Sequence, residues 1–163
     1  MKTSLFALTM LLSLITHNTL ASTHIPAQYP LKKITITVIH PVKRNTPESY
    51  TISIKANGNS FLARANQEKQ ALTVSNDALL DLVNDFYTIH FFELADNYAV
   101  KKQVLLKEGN MVTTVISKQA NADGDKLCIQ LRTFKKCVTI VEGHPIGAAQ
   151  IVKKIEDSFM PKQ

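Results

Sequence analysis

The chain has 163 residues, 45% of them apolar, with 19 Lys and Arg against 13 Asp and Glu for a formal charge of +6. That length and apolar share suit a single domain with a real core and exclude a low-complexity or disordered chain. The cations are scattered, with no run longer than a pair such as Lys32–Lys33 or Lys135–Lys136. The basic balance therefore reads as a solvated surface and not as the dense, aromatic-interleaved patch of a nucleic-acid binder.

The opening residues have the three-part pattern of a secretory signal peptide: Lys2, an apolar stretch from Leu5 to Ile15, then polar Thr16, His17 and Asn18 with small Thr19 and Ala21. Residues 1–21 are expected to be removed after Ala21. The apolar stretch falls short of the roughly 18 to 20 residues that a membrane span requires, and no cysteine stands near the cleavage point to carry a lipid. The expected product is an exported protein, periplasmic or secreted, with no transmembrane segment in the mature chain. It comprises a flexible leader over residues 22–32 and one domain over 33–163.

Within the domain, Ile34, Ile36 and Val38 alternate with Thr35 and Thr37, the pattern of a strand with one buried face. The segment SYTISIKANGNSFLARA reads as a hairpin turning at Asn57–Gly58. In that register Ala56 pairs with Asn59, Ile54 with Phe61 and Ile52 with Ala63, and Leu62 turns outward. A short extended piece is expected at Leu72–Val74. Ser75, Asn76 and Asp77 supply the chemistry that starts a helix, and Leu79, Leu82, Val83 and Phe86 recur at helical spacing to about Ile89. The cluster His90, Phe91, Phe92, Glu93, Leu94 reads as core. Val104–Lys107 and Met111–Ile116, joined by Gly109 and Asn110, predict a second hairpin. Lys126–Arg132 and Lys135–Val141 predict a third. Pro145 is suited to the first position of a final helix with Ala148, Val152, Ile155 and Phe159 on one stripe, stopped by Pro161. Hairpins and helices in this irregular order predict an α+β fold, an antiparallel sheet with two amphipathic helices on one face.

Cys128 and Cys137 are the only two cysteines. If they face each other, Leu127 faces Val138, Ile129 faces Lys136 and Leu131 faces Phe134. The apolar residues then share one face and the sulfurs the other, whereas a slip of one residue mixes the faces. A structural disulfide between Cys128 and Cys137 is expected in an oxidising compartment.

No pattern reaches the specificity of a catalytic or metal motif. His24, His40, His90 and His144 stand apart in sequence, with no zinc spacing, and read as loop or surface residues. Asn121, Asp123 and Asp125 alternate as in a calcium loop, but Lys126 and Arg132 occupy the places where such a loop needs glycine and glutamate. Asp77, Asp81 and Asp85 line the outer face of the first helix. There is no G-x-S-x-G and no glycine-rich phosphate loop. No catalytic residue, cofactor or metal is expected.

The order of features resembles a bacterial family of exported proteins described as a domain of unknown function. The resemblance rests on the opening strand, the Tyr50 strand with its glycine turn and return strand, and the pattern Phe91, Phe92, Leu94, Asp96, Tyr98. The closing hairpin and the Pro-led helix ending Ile155, Glu156, Asp157 complete it. Members often carry a Cys-x-x-x-Pro segment before the Tyr strand and an Asp-x-Pro beyond the Tyr. Here Pro47, Glu48, Ser49, Tyr50 and Lys101, Lys102, Gln103 stand in those places. The resemblance implies fold and export and no reaction. The expected function is a non-enzymatic domain that binds another macromolecule, a protein or envelope component, or supports the cell envelope. The alternatives are a small-ligand or inhibitor-like binder using the open sheet face and, behind it, an unrecognised hydrolase.

Overall fold

A computed structural model describes residues 24–43, 48–98, 100–118 and 123–161, so the signal peptide read at 1–21 lies outside the described residues. Eight strands and two helices follow in the order β1 (Ile34–His40), β2 (Tyr50–Lys55), β3 (Ser60–Arg64), β4 (Gln70–Leu72), α1 (Asn76–Thr88), β5 (Val100–Lys107), β6 (Met111–Lys118), β7 (Asp125–Leu131), β8 (Phe134–Ile140) and α2 (Ile146–Phe159). Six of the strands form one antiparallel sheet in the order β4-β3-β2-β1-β7-β8, and β5 and β6 form a separate two-stranded ribbon. The fold is α+β.

Strand alternation builds the core. Ile34, Ile36 and Val38 of β1, Ile52 and Ile54 of β2, Leu62 of β3, Leu127, Ile129 and Leu131 of β7 and Val138 and Ile140 of β8 all sit in one buried cluster. They join Leu79, Leu82, Val83 and Phe86 of α1 and Ala148, Ile151, Val152 and Ile155 of α2. Burying these side chains contributes about 1.5 to 3 kcal/mol for each large one, which is the main term that holds the helices on the sheet. Ser75 caps α1, its side-chain oxygen accepting from Ala78 N at 3.1 Å. Pro145 stands at the cap of α2, one residue before its expected place inside the helix. The second half of the expected leader is anchored, because Tyr29 and Leu31 pack against the core.

The β7–β8 hairpin has the register read from its apolar pattern, Leu127 opposite Val138, Cys128 opposite Cys137 and Leu131 opposite Phe134. Cys128 and Cys137 are joined by a disulfide, with 4.1 Å between Cα atoms.

The β2–β3 hairpin differs from expectation by one residue. Ile52 pairs with Leu62 and Ser53 with Phe61. A two-residue turn of the expected kind needs positive φ at both central residues, but only Gly58 takes one, at 77°. β2 ends at Lys55 and β3 begins at Ser60, so four residues, Ala56 to Asn59, connect them. Ser60 closes the turn: its hydroxyl accepts from Lys55 N at 2.8 Å and donates to Lys55 O at 3.1 Å. The slip takes Leu62 into the core and turns Phe61 out, where Lys69 Nζ lies 5.0 Å from its ring centroid.

The second hairpin also departs from expectation. It exists where the turn signals place it, but it stands outside the main sheet.

Candidate functional site

Two features of the surface are not explained by the core. The first is a row of polar side chains across one end of the main sheet. Val38, Ile52 and Leu62 are the last apolar residues of the core face on β1, β2 and β3, and alternation puts His40, Tyr50 and Arg64 in the next layer. His40 pairs with Tyr50 and Tyr50 with Arg64. Asp125 at the start of β7 completes the row, its Oδ1 lying 2.7 Å from His40 Nδ1 in a contact that lacks hydrogen-bond alignment. Lys43 Nζ reaches the same oxygen at 2.8 Å. The rings of His40 and Tyr50 stack with centroids 4.7 Å apart and planes 1° from parallel.

Tyr50 also joins the sheet to α2, because its hydroxyl donates to Glu156 Oε1. Burial pushes the Tyr50 phenol above its ordinary range, and the Glu156 carboxylate beside it pushes the same way. These contacts correct the reading of His40 as an isolated loop or surface histidine, since its side chain is only 15% exposed. They also occupy Asp125, one of the oxygens of the calcium-like run. Nothing local in the sequence announces the row, which exists because four strand ends come level.

The other single residues are placed as follows. His90 is exposed and lies 3.3 Å from Glu93, and His144 is exposed in the turn before α2. Asp81 and Asp85 clamp Lys154 of α2 at 2.7 and 2.6 Å, an inter-helix bridge that sequence reading left as a solvated acidic face. Phe91 is buried and meets Phe86 edge to face at 4.7 Å, and Asp96 pairs with Lys136 at 2.5 Å. Among the described residues no group of three His, Cys, Asp or Glu is arranged to hold a metal, and no helix is long and apolar enough to cross a membrane.

The second feature is the β5–β6 ribbon, an arm anchored at one place. Asn97 bridges to Thr139 of β8 just before the arm leaves, and Asp125 pairs with Ile140 just after it returns. Within the arm Val104 faces Thr114 and Leu106 faces Val112, so Val104, Leu106, Val112 and Ile116 share one side. Their exposures are 69, 71, 69 and 62%. The opposite side shows Leu105, Met111 and Val115, each also exposed. Large apolar side chains left in water on both sides of a ribbon, together with two unpaired backbone edges, are what folded proteins avoid unless a partner covers them.

Comparison with known proteins finds no matching family model, no matching curated protein and no matching solved structure.

Proposed function

We propose that this chain is a non-enzymatic exported domain, periplasmic or secreted, that binds another protein through the β5–β6 arm. The exposed apolar side formed by Val104, Leu106, Val112 and Ile116 carries this reading. The disulfide between Cys128 and Cys137 supports the oxidising compartment that the reading requires.

The arm favours a protein over a lipid surface for two reasons. Its strands have open edges, and in hydrocarbon every unpaired N–H and C=O costs several kcal/mol, whereas a partner strand satisfies them. Its far end is polar, with Lys107, Glu108 and Asn110 at the turn, and insertion would carry those groups into the bilayer. Charge narrows the partner further. The chain is basic, and at the root of the arm Lys126 and Lys135 line a groove in which Asp96 already pairs with Lys136. The matching surface is an apolar strand edge with acidic residues beside it.

The test is the size of the complex recovered from the native source. Wild-type protein is expected to elute with one acidic protein at fixed stoichiometry. Leu106→Lys with Val112→Lys is expected to elute alone with its melting temperature unchanged. Elution of wild type as a free monomer, or as a complex of this chain only, overturns the reading.

A further inference from the structure

The β5–β6 arm lacks the alternation that shapes the main sheet. In β1 the buried Ile34, Ile36 and Val38 alternate with Thr35 and Thr37, the pattern of a strand covered on one face. In the arm the apolar residues stand side by side: Val104, Leu105 and Leu106 on β5, then Met111 with Val112 and Val115 with Ile116 on β6. Successive residues of a strand point to opposite faces, so both faces of the ribbon are apolar. Leu106 and Val112 pair on one face. Leu105 and Met111 stand on the other, 46 and 68% exposed. Strands that read as near-continuous apolar runs belong to sheets with a layer on each face, and no described element supplies either layer here.

The two ends of the arm differ in charge. The apolar pairs fill its outer part, from Gln103 opposite Val115 to Lys107 opposite Met111, a length of about 17 Å. Residues 100–118 hold four lysines, Lys101, Lys102, Lys107 and Lys118, against the one carboxylate of Glu108. Lys101, Lys102 and Lys118 stand at the root, where Lys126 and Lys135 add cations from β7 and β8. Glu108 and Asn110 occupy the tip.

We infer, resting on the protein-binding reading of the arm, that its partner is a protein whose cleft takes the outer part of the ribbon between two apolar layers, with acidic residues around the cleft mouth. Stacked sheet layers lie about 10 Å apart, so the two walls stand about 20 Å apart with the ribbon between them. The acidic mouth meets the lysines at the root. The far end of the cleft is open, because a closed apolar end would strip water from Glu108 and Asn110 without replacing it. A second copy of this chain does not supply such a cleft. It carries the same net positive charge, and twofold packing of two arms covers only one face of each.

The test is photo-crosslinking of the full chain in its native source, with the reactive residue placed in turn at Leu106 on one face and at Leu105 and Met111 on the other. The same protein is expected from all three positions. Leu105→Thr with Val115→Thr, which keeps β-branched residues in the strands, is expected to lower the yield from Leu106 at least about tenfold, since burial lost on one face weakens the whole complex. A protein captured from Leu106 but from neither Leu105 nor Met111, different proteins from the two faces, or a Leu106 yield unchanged in the double variant overturns the two-layered cleft and leaves the protein-binding reading standing. Adducts only to lipid or to this chain, or no protein adduct from any position, overturn both.

Discussion

Tyr50 and Glu156 are 106 positions apart, and the phenol of one donates to the carboxylate of the other. This contact is the polar link between the first half of the sheet and the last helix. Tyr50→Phe keeps the ring stack on His40 but removes the donor, leaving a half-buried carboxylate oxygen unpaired. A loss of about 1 to 2 kcal/mol is expected in urea unfolding. Glu156→Gln should cost less, because the amide oxygen still accepts.

The same contact gives a pH dependence. The Tyr50 phenol is held above its ordinary range by burial and by Glu156, and Tyr29 is raised by burial and by its contact with the Tyr87 hydroxyl at 3.2 Å. A phenol whose ionisation is raised by folding contributes stability that is fully present below the unfolded value, about 10, and declines as pH climbs past it. Alkaline titration of tyrosinate absorbance is expected to show Tyr50 and Tyr29 ionising above the ordinary phenol range. Tyr50→Phe is expected to lose less stability between neutral and alkaline pH than wild type.

Lys154 tests the contact between the helices. Its ammonium is held protonated above the usual lysine range by hydrogen bonds first to Asp81 and then to Asp85. The side chain is 41% exposed, so solvent screens much of the attraction. Lys154→Met is expected to cost at most about 1 kcal/mol, with the difference shrinking in high salt.

Gly124, between the returning arm and β7, shows how tightly the root of the arm is built. A Cβ there would overlap the carbonyl oxygen of Ile140 in the neighbouring strand. Gly124→Ala must displace backbone, and a loss above about 2 kcal/mol is expected in denaturant unfolding. By contrast, replacing residues 100–118 with a short glycine linker is expected to leave the stability of the main sheet within about 0.5 kcal/mol. Reducing the Cys128–Cys137 bridge should cost about 2 to 3 kcal/mol without unfolding the hairpin, since its apolar face sets the same register.

Where a strand has one clean apolar face, the sequence carried the structure. The pairing of Cys128 with Cys137 follows from the alternation of Leu127, Ile129, Leu131, Phe134 and Val138. The β2–β3 register was less legible because SFLA offers two large apolar residues in a row. The choice between Phe61 and Leu62 for the core was made by the Ser60 hydroxyl on Lys55 and by a single positive φ at Gly58. The polar row was hidden for a different reason. His40, Tyr50, Arg64 and Asp125 come from four strands, and only the finished sheet puts them level. The arm was legible as a hairpin, but its separation from the sheet was not, because the alternation of apolar residues within a strand does not say what covers them.

The protein-binding role of the arm is tested most directly by a photo-crosslinking residue placed at Leu106 of the full chain, produced in its native source, with the same residue at the exposed Asn57 turn as control. A single crosslinked protein other than this chain, formed from Leu106 and not from Asn57, is the result expected. Adducts only to lipid, only to a second copy of this chain, or equally from both positions would contradict it.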